Sequence, residues 1–150
     1  MSTAIRTLGM LAAGITVSVL AAAPTTAAGG AIPLNAEQEA PGAVSDGSGF
    51  FSYTTSGVEL CYTLEVRSLT GDPVAAHIHI APRHSPGPVV VPLATPPAAT
   101  GTVSDCISAA EGGAMTPAEL AAITADPKAY YVNVHTVMWP AGEVRGQLKR

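Results

Sequence analysis

The sequence has few basic residues, no basic cluster and no apolar run long enough to cross a membrane. Seven of its 150 residues are Lys or Arg and 11 are Asp or Glu, which gives a formal net charge of −4. The nearest approach to a basic cluster is the pair Lys149–Arg150 at the end of the chain. Nucleic acids and anionic membrane surfaces are bound through clustered positive charge, so neither is expected as a partner.

Motifs of several common enzyme classes are also missing. There is no P-loop, no dinucleotide-binding fingerprint and no serine in a nucleophile elbow. The two cysteines, Cys61 and Cys106, are not expected to be free to act with a histidine in catalysis. We therefore predict a protein without enzymatic activity.

The first 28 residues are typical of a secretory signal peptide. Arg6 supplies the positive charge, residues 11–23 form a short apolar run, and small residues precede a cleavage point after Ala28. The run is shorter than the ~20 apolar residues that span a bilayer. We predict a signal peptide at 1–28, one domain at 29–150, secretion, and no membrane insertion after signal cleavage.

The cysteine content fits an extracellular protein. In an oxidising compartment, two cysteines most simply form one disulfide, here Cys61–Cys106. Two free thiols or a metal thiolate are the alternatives, and secretion argues against both. In the chain-entropy model, a disulfide that closes a loop of this length stabilises the fold by about 4 kcal/mol.

Short segments of alternating apolar and polar residues indicate β-strands. The clearest is Val58–Arg67, where Val58, Leu60, Tyr62, Leu64 and Val66 form one face. That pattern is typical of an antiparallel sheet with one solvated side. Ile32–Leu34 is predicted as an edge strand, because its proline lacks the N–H that a sheet ladder uses.

One helix signal interrupts the strands. Thr116-Pro117-Ala118-Glu119 combines an N-cap, a proline at the first helical position and a capping-box glutamate. Leu120 and Ile123 are three apart and are expected to face the sheet. The predicted fold is all-β, an antiparallel β-sandwich or Greek-key barrel with one short helix near 117–125.

Three of the four histidines lie in two predicted strands. Residues two apart share a strand face, so His77 and His79 point the same way. On the second strand, His135 shares a face with Tyr131 and Asn133. If these strands pair or face each other, the three imidazoles meet.

Two interpretations of these histidines are open. In the first they bind copper or zinc, with His84 or an acidic residue such as Glu143 completing the shell. Their nitrogens must then come within about 4 Å of one another. In the second they form a structural polar network with Asn133 and Thr136. Glu143 and Arg145 are expected to make exposed ion pairs, which contribute roughly 0–1 kcal/mol.

The strongest patterns resemble the CHRD domain, named for chordin, an animal inhibitor of bone morphogenetic proteins, and also found in secreted microbial proteins. The resemblance covers nearly the whole chain after the signal peptide, and the chain is similar to the single-domain secreted microbial type. The segments that carry it are His77-Ile78-His79, Val89-Val90, Tyr131–Thr136 and Pro140–Leu148. The resemblance implies an extracellular all-β domain without a catalytic activity that can be carried over.

We therefore expect a secreted, non-enzymatic binding or structural module that contacts an unknown extracellular protein or cell-surface component. One alternative is a secreted copper- or zinc-binding protein with His77, His79 and His135 as ligands. The other is a dismutase-like redox enzyme, because copper/zinc superoxide dismutase also combines a β-barrel with an HxH strand. Its remaining ligands and its zinc loop are not recognisable in this sequence.

Overall fold

A computed structural model of the chain describes Met1, residues 27–28 and residues 30–150. Apart from its first and last two positions, the predicted signal peptide lies outside the described residues. No helix among the described residues is long and apolar enough to cross a bilayer.

The described residues form nine strands and one α-helix. The strands are β1 (Ala27–Ala28), β2 (Ile32–Asn35), β3 (Ser48–Ser56), β4 (Glu59–Arg67), β5 (Pro73–Ile80), β6 (Val89–Leu93), β7 (Gly101–Ser108), β8 (Tyr130–Thr136) and β9 (Val144–Gln147), and helix α1 is Pro117–Ala125. Two short 3-10 turns lie at Ala36–Gln38 and Pro127–Ala129.

All nine strands belong to one antiparallel sheet that curls into a half-barrel. Its order is β6-β5-β8-β9-β2-β3-β4-β7, and β1 also pairs with β3. This confirms the predicted all-β antiparallel fold. Strand β2 lies inside the sheet, between β3 and β9, so its prediction as an edge strand was wrong. Its pairing with β9 is at Asn35, so Pro33 does not have to supply an N–H to that partner.

The core lies on one face of this sheet. Along β4, Leu60, Tyr62, Leu64 and Val66 are buried and alternate with more exposed neighbours, as predicted. Val58 was expected on the same face but is 64% exposed. It lies in the turn between β3 and β4, before the pleat of β4 begins, so the alternation does not apply to it.

Helix α1 packs against this core. Leu120 and Ile123 are buried, and Thr116 and Glu119 form the predicted capping box. The predicted disulfide is also present: Cys61 on β4 lies directly opposite Cys106 on β7, and the bridge joins these two strands. The helix and the disulfide therefore both reinforce the β3–β4–β7 side of the sheet, and the polar face of β5, β8 and β9 is left for other contacts.

Candidate functional site

The candidate site lies on the face of β5, β8 and β9 that points away from the core. Antiparallel pairing places His77 opposite Asn133, and Asn133 opposite Arg145. One step along, His79 lies opposite Tyr131. Because side chains alternate between faces, the apolar neighbours in each strand enter the core while these polar residues gather on the other side.

A loop covers this face and removes most of it from solvent. Arg145 donates hydrogen bonds to the carbonyl oxygens of Ser85 and Pro82, at 2.8 and 2.9 Å. The Gln147 side chain donates to the carbonyl oxygen of Ala81 at 2.9 Å. As a result Asn133 and Arg145 are each only 1% exposed, and His79 is 7% exposed. The site is built inside the protein, on rigid strands.

The three histidines converge, although His135 lies 58 residues after His77 in the chain. His77 Nδ1 and His135 Nε2 are 3.2 Å apart. One ring nitrogen from each of His77, His79 and His135 can be chosen so that all three lie within 4.8 Å of one another, which is wider than the limit of about 4 Å expected for a shared ion. Two nitrogens that each lie about 2.0 Å from a shared tetrahedral metal are about 3.3 Å apart. The distance between the farthest pair of ring nitrogens would therefore have to shorten by about 1.5 Å for all three to bind one ion.

Backbone carbonyl groups orient two of the imidazoles. His79 Nδ1 lies 2.9 Å from the Gly87 oxygen, and His135 Nδ1 lies 3.1 Å from the Pro140 oxygen. A carbonyl oxygen only accepts, so both rings carry their proton on Nδ1 and present a lone pair at Nε2. His79 Nε2 is buried and has no hydrogen-bond partner among the described residues. Metal-binding histidines are oriented in this way by their second nitrogen.

Burial keeps all three imidazoles neutral. It lowers the pKa of His77 to about 4, helped by the proximity of His135 and His79. It also lowers the pKa of His79 and of His135, although the carbonyls of Gly87 and Pro140 oppose that shift. Since neutral imidazole is the form that binds metals, the cluster is ready to coordinate an ion at neutral pH.

A stack of three side chains supports His79. The His79 ring lies parallel to the Tyr131 ring, with centroids 4.8 Å apart and planes 7° from parallel. The Arg145 guanidinium carbon lies 3.3 Å from the Tyr131 ring centroid. The Tyr131 hydroxyl accepts a hydrogen bond from the N–H of Gly87, the residue whose carbonyl holds His79. The cation, the two rings and the covering loop therefore position one another.

The predicted polar network separates into two parts. Glu143 is fully buried and accepts four hydrogen bonds, two from Thr70, one from Ser45 and one from Thr136. Burial alone raises the pKa of Glu143, but these bonds outweigh it and the pKa lies below its ordinary value. Asn133 and Arg145 lie on the histidine face instead. The expected exposed ion pairs of Glu143 and Arg145 do not form, because both residues are buried by loops that the strand pattern did not place.

Neither suggested fourth ligand joins the histidines. His84 is exposed at the tip of the covering loop, with a φ of +59°, and Glu143 is bound within its own network. Each expectation was wrong for its own reason. The loop crosses the site through its backbone carbonyls rather than through the His84 side chain, and Glu143 turns toward Thr70.

Glu39 is a residue of this region that the sequence did not reveal. It is 5% exposed, and its Oε1 has no hydrogen-bond partner among the described residues. Burial raises its pKa to about 7, while the charge of Arg145 and the donors of Ala40 and Asn133 act in the opposite direction. A β-carbon on Gly142 would collide with this carboxyl group, so Gly142 is required for its close approach. In the sequence, Glu39 precedes a proline–glycine turn and looks like an exposed loop carboxylate.

Comparison with known proteins identifies the family. Residues 19–148 match the family model of the CHRD domain, which covers nearly the whole chain. The matched region contains every residue of the histidine cluster and the loop that covers it. No curated protein and no solved structure matches the chain. By this sequence match, the chain belongs to the CHRD domain family.

Proposed function

We propose that this protein is a secreted, non-enzymatic CHRD module that binds a copper or zinc ion through His77, His79 and His135. The CHRD family is generally non-enzymatic and of extracellular type, and the predicted signal peptide supports secretion. The observation that carries the metal-binding proposal is the convergence of three imidazoles on one face that the covering loop largely encloses, with His77 half-buried.

The donor set suits a borderline transition metal. Imidazole nitrogen is a preferred ligand of both copper and zinc, and three histidines are sufficient to hold either one. The unpaired lone pair at His79 Nε2 is costly in a buried site and would gain a partner from a bound ion. The hydrogen bond between His77 and His135 would give way to coordination, with the His77 proton moving to its other nitrogen or to solvent.

Metal titration tests the proposal directly. The purified protein is titrated with zinc(II) and with copper in both oxidation states, beside a His77→Asn/His79→Asn variant. His84→Asn is the matched control, because it removes an exposed imidazole from the adjoining loop and asparagine tolerates the same positive φ. We expect submicromolar binding of about one ion per chain that the double variant loses and the control retains. Absence of binding to the unmodified protein would refute the proposal.

The second candidate function is contact with an extracellular protein or a cell-surface component, with the histidines in a structural role. It is favoured by three exposed apolar side chains at the sheet end where β5 begins and β8 finishes. Val74, Val137 and Met138 are 58%, 78% and 69% exposed. If the double histidine variant binds metal as tightly as the unmodified protein and is only less stable, contact with an extracellular partner replaces metal binding by the three histidines as the proposed function.

A further inference from the structure

The histidine cluster contributes no negative charge to a bound ion. The group of potential ligands consists of three imidazoles, with no cysteine or carboxylate among the described residues that join it. Imidazole coordinates a metal ion in its neutral form. An ion held by this set therefore keeps its whole charge, +1 for copper(I) and +2 for zinc(II) or copper(II).

A buried positive charge lies against this cluster. Arg145 is 1% exposed, and its guanidinium stacks on Tyr131, which in turn stacks on the ligand His79. Its hydrogen-bond partners are the neutral oxygens of Ser85, Pro82 and Gln147. Within the part of the chain that the structure describes, ion pairing is confined to Glu65 and Arg67, so no carboxylate pairs with Arg145 at close range. Glu39 is the carboxyl group whose charge acts on Arg145, and burial raises the pKa of Glu39 to about 7.

Charge and coordination number both disfavour a dication here. The cost of transferring an ion from water into a buried site grows with the square of its charge, and Arg145 repels a dication twice as strongly as a monocation. Zinc(II) also requires a fourth ligand, which is water in three-histidine sites, whereas copper(I) as a d¹⁰ monocation is stable with three. His79 and His135 are 7% and 9% exposed, so water that could serve as that fourth ligand can approach only from the side of the half-buried His77.

From this geometry we infer that the site is selective for copper in its monovalent state, and that Arg145 is the residue that sets this selectivity. The inference rests on the proposed function, because it names the ion that the same three histidines take. Arg145 touches no ligand atom, so it acts on specificity through its charge and on ligand position through Tyr131 and the covering loop.

The test compares the affinities for copper(I) and zinc(II) in three proteins. Copper(I) is titrated anaerobically against bicinchoninate, and zinc(II) against a zinc-binding chromophore, for the unmodified protein, Arg145→Gln and Arg145→Lys. We expect the unmodified protein to bind copper(I) more tightly than zinc(II). In Arg145→Gln the ratio of the two affinities should move toward zinc(II) on the order of tenfold, the effect of one unit charge about 10 Å away at an effective dielectric constant near 20.

The lysine variant separates charge from positioning. It keeps the positive charge but loses the planar stack and the forked hydrogen bonds, so both affinities should fall while their ratio stays within about threefold. Zinc(II) binding as tight as copper(I) to the unmodified protein would overturn the inference, as would an unchanged ratio in a folded Arg145→Gln protein. If that variant does not fold, the comparison of the two ions in the unmodified protein decides. Failure of both ions to bind would instead refute the proposed function.

Discussion

Replacement of Glu143 should remove a large part of the free energy of unfolding of this protein. Its carboxylate accepts hydrogen bonds from Ser45 Oγ at 2.6 Å, Thr70 N at 2.7 Å, Thr70 Oγ1 at 2.9 Å and Thr136 Oγ1 at 2.7 Å. Hydrogen bonds to a charged group contribute roughly 1.5–3 kcal/mol each, but bonds that share one acceptor are not additive. We expect Glu143→Ala to lower the free energy of unfolding by about 3–5 kcal/mol, because four donors lose their charged acceptor together.

Glu143→Gln distinguishes the network from mere packing. One carboxylate oxygen accepts from Ser45 and from the Thr70 N–H, and the amide oxygen of glutamine can take that role. The other accepts from two threonine hydroxyls, which can rotate and accept from the amide nitrogen instead. We therefore expect a loss of only about 1–2 kcal/mol for the isosteric variant, because the bonds survive without their charge assistance.

Urea unfolding followed by circular dichroism measures both changes, and Glu111→Ala is the control. Glu111 is exposed, so its removal should change the free energy of unfolding by about 0.5 kcal/mol or less. The folded-state pKa of Glu143 lies below its ordinary value of 4.5. Its stabilisation is therefore present above pH 4.5 and is lost as the pH falls through the folded-state pKa, and Glu143→Gln should lack this loss. An alanine variant within 1 kcal/mol of the unmodified protein would refute the reasoning.

Two further predictions concern Glu39 and the disulfide. The folded-state pKa of Glu39, about 7, lies above its ordinary 4.5, so its contribution to stability is present below pH 4.5 and is lost as the pH rises to 7. This loss, about 3 kcal/mol, should disappear from the pH dependence of urea unfolding in Glu39→Gln, and an unchanged profile would contradict the buried acid. Cys61→Ser/Cys106→Ser should lower the free energy of unfolding by about 2–4 kcal/mol and leave metal affinity unchanged, because the bridge joins β4 to β7, away from β5 and β8. A metal affinity that fell with the disulfide would show that the two regions are coupled.

Local sequence patterns predicted most of the elements and most of the faces of their strands. The alternation in β4 reflects the two-residue period of a strand, which one buried face imposes directly on the sequence. The threonine, proline and glutamate at 116–119 satisfy the first turn of a helix by themselves, so α1 was predicted within its observed bounds. The shared face of His77 and His79 follows from the same period. These features depend only on residues a few positions apart, so the spacing of residues in the sequence is enough to predict them.

Only the tertiary structure shows which residues of neighbouring strands lie opposite the histidines and which loop covers them. The convergence of His77 with His135 depends on the antiparallel pairing of β5 and β8, and a shift of one residue in that register would have turned the histidines to opposite faces. The burial of Glu39, Glu143 and Arg145 depends on loops whose course is set by single long-range contacts, such as that of Arg145 with Ser85. The sequence therefore determined the family, the sheet and the candidate ligands, and the folded chain decided their charge state, their orientation and their partners.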